Sequence, residues 1–159
     1  QLVLLSHARQ LFGCWRPAAD YHRDEALALL ARVGMADQAE RPCNVLAYGD
    51  VKRLELAMAL ASEPRLLLLD EPTAGMPPRE RTSLMELILQ LMRERQLGVL
   101  FTEHDMPVVF KYAHRVVVMA RGRVIAHGDP DTVRSDREVQ VAYLGTGSGA
   151  RARRTVASS

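Results

Sequence analysis

A run of leucines, Leu66 to Leu69, ends in two adjacent carboxylates, Asp70 and Glu71. An apolar strand makes a rigid base of low dielectric, and paired carboxylates at its tip are costly unless a cation or a reacting water uses them. Phosphoryl transfer uses both. One carboxylate holds Mg²⁺, usually through water, while its neighbour polarises or deprotonates the water that attacks a γ-phosphate. In that chemistry Asp70 takes the metal and Glu71 the water. A plainer reading stays open on these residues alone, in which they begin a loop and cap the turn before Pro72. His104 follows the apolar run Val99 to Thr102 and would emerge beside Asp70 and Glu71 if the two strands are neighbours, within reach of a phosphate oxygen or a water. An isolated histidine is more often a surface or core residue. Gly49 opens a helical pattern and removes side-chain bulk where backbone N–H groups and the positive helix end can face a phosphate, although ordinary helices also begin with glycine. Gly75 permits unusual backbone angles ahead of Pro77 and Pro78, as any turn into a helix also requires.

These residues need a frame. In an open parallel sheet, side chains just past the C-terminal ends of strands line the crevice where ligands bind. Leu66 to Leu69, bounded by Pro64 and Pro72, is too short for a typical helix and has the continuous apolarity of a strand buried on both faces. The pattern Leu84, Leu87, Ile88, Leu91 and Met92 predicts a helix over about 79–95, and Gly98 then leads into a strand over 99–102. Strand, helix and strand make a right-handed crossover. Upstream, Asp20 can cap a helix over 22–33 that ends at Gly34, and Leu54, Leu56, Ala57, Leu60 and Ala61 predict a second helix over about 50–61. Downstream, 116–119 and 123–126 read as strands joined at Gly122, with which the sheet is expected to end, and Gly128-Asp129-Pro130 starts a last short helical region.

Taken in order, these segments resemble the ATP-binding-cassette family. Leu46-Ala47-Tyr48-Gly49-Asp50 resembles the family signature, Leu66 to Glu71 the Walker B segment, Ala74-Gly75-Met76 the D-loop, and His104 the switch histidine. The resemblance implies an α/β fold of the P-loop NTPase type, with a mostly parallel sheet, a helical subdomain and a C-terminal β-hairpin. It divides the chain into a partial ATP-binding domain over 1–144, with the helical subdomain and signature over 1–62, the Walker B, D-loop and switch histidine over 63–144, and a tail over 145–159. It also implies a head-to-tail dimer with a second ATPase subunit, identical or not, in which Leu46 to Asp50 contact the ATP held opposite and Ala74 to Met76 lie at the centre. Departures stand out as well, among them Asp50 and Val51 in place of the glutamine or glutamate residues often seen there. The usual signature serine is Ala47, which removes a hydrogen bond of about 1 kcal/mol or somewhat more to a charged partner. Tyr48 replaces glycine, as in one branch of the family. No GxxxxGK[ST] loop occurs, so no backbone nest with its lysine is present to cradle phosphates. The chain is accordingly expected to be a C-terminal portion starting after the glutamine-bearing loop, and inactive alone.

Tyr48-Gly49-Asp50, Ala74-Gly75-Met76 and Ala142-Tyr143-Leu144-Gly145 resemble the branched-chain amino acid and urea importer branch. That implies membrane permease partners, an indirect link to a solute-binding protein, ATP and Mg²⁺ as ligands, and a peripheral position on the cytoplasmic face of the membrane. It also puts Phe12, Trp15 and Tyr21 near the docking surface, unless they fill a small core. Composition agrees with a folded domain: 159 residues and 48% hydrophobic content supply a real core, and a net charge of +2 favours neither nucleic acid nor an anionic membrane as the main partner. Cys14 and Cys43 have no CxxC spacing, which argues against a disulfide framework or a zinc site. The longest apolar stretches fall short of the roughly 20 residues that cross a bilayer. The glycine-rich end with Arg151, Arg153 and Arg154 reads as a flexible tail rather than a polyanion-binding arm. Two other functions compete: a truncated, non-catalytic cassette acting as an interaction module, and a soluble cassette ATPase of DNA repair or translation, which would usually add coiled coils or tandem cassettes. A hydride-transferring enzyme is disfavoured because no GxGxxG follows a strand.

Overall fold

A computed structural model describes residues 22–144. Asp20, Phe12, Trp15, Tyr21, Cys14 and the segment from Gly145 lie outside the described residues. The chain divides into two compact units, one running to Thr102 and the other starting at Glu103.

The first unit opens with α1 (Arg23–Arg32), which has Asp24 and Glu25 in its first turn and Arg32 in its last, the arrangement that suits the helix dipole. Gly34 ends it at φ 74°, donating to Ala31 O while the Met35 amide reaches back to Leu30 O. Val33 and Met35 just beyond are fully buried. Helix α2 (Tyr48–Leu60) begins two residues ahead of the expected start and buries Gly49, Leu56, Ala57 and Leu60. Arg53 ties three elements together, donating to Val33 O at 2.9 Å and to Ser83 Oγ at 2.7 Å.

Strand β1 (Leu66–Asp70), helix α3 (Pro78–Arg95) and strand β2 (Gly98–Thr102) form the predicted crossover. The strands pair in parallel, with Leu66 opposite Gly98 and Asp70 opposite Thr102. Pro78 suits the first turn of α3 because its missing N–H would be unpaired there anyway, and Leu84, Met85, Ile88 and Leu91 are buried on one face. One expectation is corrected. The leucine run is not buried on both faces: Leu67 is 5% exposed, but Leu66 and Leu68 are 55% and 68% exposed, and Leu100 opposite Leu68 is 62% exposed. Within the described residues β1 has β2 as its only strand partner, and cover reaches one side of that pair.

The second unit contains α4 (Met106–Tyr112), β3 (Val116–Ala120), β4 (Arg123–Gly128), α5 (Pro130–Ser135), α6 (Arg137–Val139) and a π turn over Gln140–Leu144. Helix α4 was not anticipated; Asp105 caps it by accepting from the Val108 amide, and Pro107 lies in its first turn. Strands β3 and β4 are antiparallel around Arg121 and Gly122, at φ 49° and 74°, the paired positive angles of a tight hairpin turn. Here too expectation and structure differ. The hairpin is a ladder of its own rather than the end of a continuous sheet, so the described strands form one parallel and one antiparallel pair. Consecutive strands neighbour one another only about two-thirds of the time, and no sequence signal distinguished the two cases. Asp129 and Asp136 cap the next two helices, and Val133 and Val139 are buried among them.

Candidate functional site

The tip of β1 is wired to the tip of β2. Because the strands are parallel and in register, Asp70 and Thr102 project from the same face, and the Thr102 hydroxyl donates to Asp70 Oδ1. The Glu71 amide donates to Thr102 O at 3.1 Å and approaches Thr102 Oγ1 at 3.2 Å. Glu71 itself has φ 43°, a left-handed conformation that costs a non-glycine residue roughly 1–2 kcal/mol and persists where surrounding bonds fix it. Both carboxylate residues are exposed. Thr102 is the site residue that the sequence reading missed. Its role depends on the strand register, which puts Thr102 opposite Asp70 and carries no signal in the sequence.

From Glu71 the chain folds into two overlapping turns: Ala74 N–H donates to Glu71 O at 3.1 Å, and Met76 N–H to Thr73 O at 3.2 Å. Thr73 and Met76 are buried, and Gly75 takes φ 74° between them. Arg81 Nε donates to Met76 O at 2.7 Å and so fastens this turn to the first part of α3. The start of α2 lies against the same turn. A methyl group at Gly49 would meet Glu80 Oε2 at 2.7 Å and Met76 Cε at 3.5 Å, so a glycine lets α2 approach this closely. Leu46 is half-buried, and Ala47, at the N-terminal cap of α2, offers no side-chain oxygen to the amides of the first turn. Asp50 lies in that first turn, with Gln38 Nε2 3.5 Å from its Oδ2.

The first unit thus brings together the signature-like residues Tyr48 and Gly49 and the D-loop-like residues Gly75 and Met76. Asp70 and Glu71 stand at the head of that turn. His104 belongs to the second unit, where it is exposed in the bend between β2 and α4. A cavity of about 240 Å³ in the first unit is lined by Asp70 with Lys52 and Glu55 at its polar side and Leu56, Leu69 and Ile88 at its apolar side. Lys52 Nζ binds Glu55 Oε2 at 3.0 Å, and this hydrogen bond, outweighing burial, raises the lysine above its ordinary pKa.

Among the described residues no cluster of three or more histidine, cysteine or carboxylate ligands exists. The donor set still fits Mg²⁺. That ion keeps several waters and takes one or two carboxylates beside phosphate oxygens, and Asp70 offers an exposed carboxylate whose Oδ1 is oriented by Thr102. No described helix is long and apolar enough to cross a membrane.

Comparison with known proteins bears on the family rather than on this geometry. A family model described as ABC transporter matches residues 2–74, and one described as branched-chain amino acid ATP-binding cassette transporter matches residues 123–148. LivG, the high-affinity branched-chain amino acid transport ATP-binding protein of Escherichia coli (strain K12), is 39% identical over 131 residues, which cover 82% of this chain and 51% of LivG. BraF of Pseudomonas aeruginosa, named for the same transport, is 40% identical over 116 residues, 73% of this chain and 46% of BraF. The chain therefore spans about half the length of the curated relatives it matches. Among solved structures, cbiO1 of Clostridium perfringens, part of the ABC transporter complex cbiONQ, superposes with a TM-score of 0.73 at 29% identity, covering 89% of this chain and 56% of that one. The ADP conformation of MJ1267, an ATP-binding cassette of an ABC transporter, gives a TM-score of 0.76 at 24% identity over 91% of this chain and 61% of that one, a likeness of fold alone.

Proposed function

Since the chain belongs to the ATP-binding-cassette family, we propose that it is part of the ATP-hydrolysing subunit of an importer, coupling ATP turnover to uptake of branched-chain amino acids or similar small solutes. The observation that carries this reading is the pair Asp70 and Glu71 at the tip of β1, held by Thr102 from the neighbouring strand. Glu71 is the general base, taking a proton from the water that attacks the γ-phosphate. Asp70 would hold Mg²⁺, its carboxylate oriented by the Thr102 hydroxyl. When bound, Mg²⁺ supplies charge neutralisation for the phosphates. His104 hydrogen-bonds a γ-phosphate oxygen or orients the attacking water.

The segment Leu46 to Asp50, which leads into the first turn of α2 and has Gly49 at the close approach, contacts ATP held by a second cassette subunit through its amides and the positive end of the helix dipole. Ala47 weakens that contact by about 1 kcal/mol relative to a hydroxyl-bearing residue. Ala74, Gly75 and Met76 meet their counterparts across the dimer. Permease subunits in the membrane are the partners that move, a solute-binding protein is linked through them, and the subunit is peripheral on the cytoplasmic face; nucleic acid has no part in this reading.

Phosphate release by the native protein, assembled with its permease and given ATP and Mg²⁺, is the test. Turnover that falls at least about tenfold in His104→Ala is expected. Absence of ATP-dependent phosphate release from the unsubstituted assembly would sink the reading, and full activity in His104→Ala would remove that histidine from it.

A further inference from the structure

The start of α2 touches the turn after Glu71 at more than one point. A methyl group at Gly75 would stand 3.7 Å from Tyr48 Cε1 and 4.0 Å from Tyr48 Cζ, so the Tyr48 ring lies over the bare backbone of that glycine. One residue further along each segment, Gly49 lies against Met76. Tyr48 is 53% exposed, but its ring is held from the next turn of α2: Lys52 Nζ stands 5.6 Å from the ring centroid, and Lys52 is itself paired with Glu55. The other side of the contact is also fixed. Met76 is 3% exposed, its carbonyl accepts from Arg81, and Ala74 N–H donates back to Glu71 O. A displacement of Gly75 therefore reaches the backbone of Glu71 through one hydrogen-bonded turn.

We propose that Tyr48 is a positioning residue whose ring locks the first turn of α2 to the Gly75 turn, so that α2 and Glu71 respond as one body when nucleotide arrives. A side chain at Gly75 would oppose its φ of 74°, so a bare glycine backbone faces the ring, 3.7 Å being ordinary van der Waals contact for a carbon placed there. The mechanistic half of the proposal rests on the ATPase reading above; the mechanical half does not. Both halves are read from two variants of the native protein, Tyr48→Ala and Tyr48→Phe.

In Tyr48→Ala, hydrogen exchange at the Ala74 and Met76 amides is expected to quicken about tenfold, with the exchange of α3 core amides unchanged. In the same variant kcat falls about tenfold while KM for ATP stays within about twofold. Tyr48→Phe keeps the ring and restores both readouts. Unchanged exchange at Ala74 and Met76 in Tyr48→Ala, or a Tyr48→Phe variant as impaired as Tyr48→Ala, overturns the lock. Quickened exchange in Tyr48→Ala, together with no ATP turnover by the unsubstituted protein, would overturn the ATPase reading instead and leave the mechanical contact standing.

Discussion

Leu67 and Leu68 are neighbours in one strand and identical in chemistry, yet one is 5% exposed and the other 68%. The side of β1 and β2 that carries Leu67 is covered, whereas the described residues leave the side that carries Leu66, Leu68 and Leu100 open up to the tip where Asp70 and Thr102 meet. Strand alternation decides which leucine faces which way, and cover decides what each is worth. A run of apolar residues therefore reports a capacity for burial on two faces, which the described residues use on one.

The comparison breaks most readily by truncation. In the 159-residue chain, Leu67→Ala should cost about 2–5 kcal/mol in urea unfolding, the range for a buried leucine, while Leu68→Ala stays within about 0.5 kcal/mol. Equal losses would mean that both faces are covered in solution. At the tip of the bare face, Thr102→Val keeps the shape but removes the donor to Asp70 and should cost about 1 kcal/mol, with a larger fall in Mg²⁺-dependent turnover than in nucleotide affinity. Cover without a partner has the opposite sign. The Tyr112 hydroxyl in the second unit is buried with no hydrogen-bond partner among the described residues, so Tyr112→Phe should leave stability unchanged or raise it by up to about 1 kcal/mol.

The smallest effect belongs to a group with no cover at all. The Thr132 hydroxyl, and then its amide, hold the Asp129 carboxyl below its ordinary pKa of 3.8. A depressed folded value means that its contribution is complete above 3.8 and fades as pH falls through the lower folded value. Exchange protection at the Thr132 amide should follow that course as pH falls below 3.8, and Asp129→Asn should flatten it. Protection in the wild type that is flat over the same window would show that the carboxylate contributes nothing to the cap.

The crossover of strand, helix and strand was legible because the strands are short apolar runs, the helix has a clean period, and proline or glycine punctuates their ends. Helix α4 was not: only seven residues long, it shows little periodicity, and its sign was the cap Asp105 with Pro107 two residues on. The start of α2 was read two residues late because Ala47 and Tyr48 carry no capping signal. The place of Asp70 and Glu71 at the tip of a strand could be read from the apolar run before them. Their partner Thr102 could not, since it depends on register, which periodicity leaves undetermined by any whole number of residue pairs.

Substituting Glu71 by Gln tests the central claim most directly, because it keeps the size and the backbone bonds of the residue and removes only its capacity to accept a proton. In the assembled native protein, Glu71→Gln should bind ATP with affinity within about twofold of the wild type while phosphate release falls by about a hundredfold or more, the scale of a lost general base. Phosphate release at the wild-type rate from that variant would contradict the account.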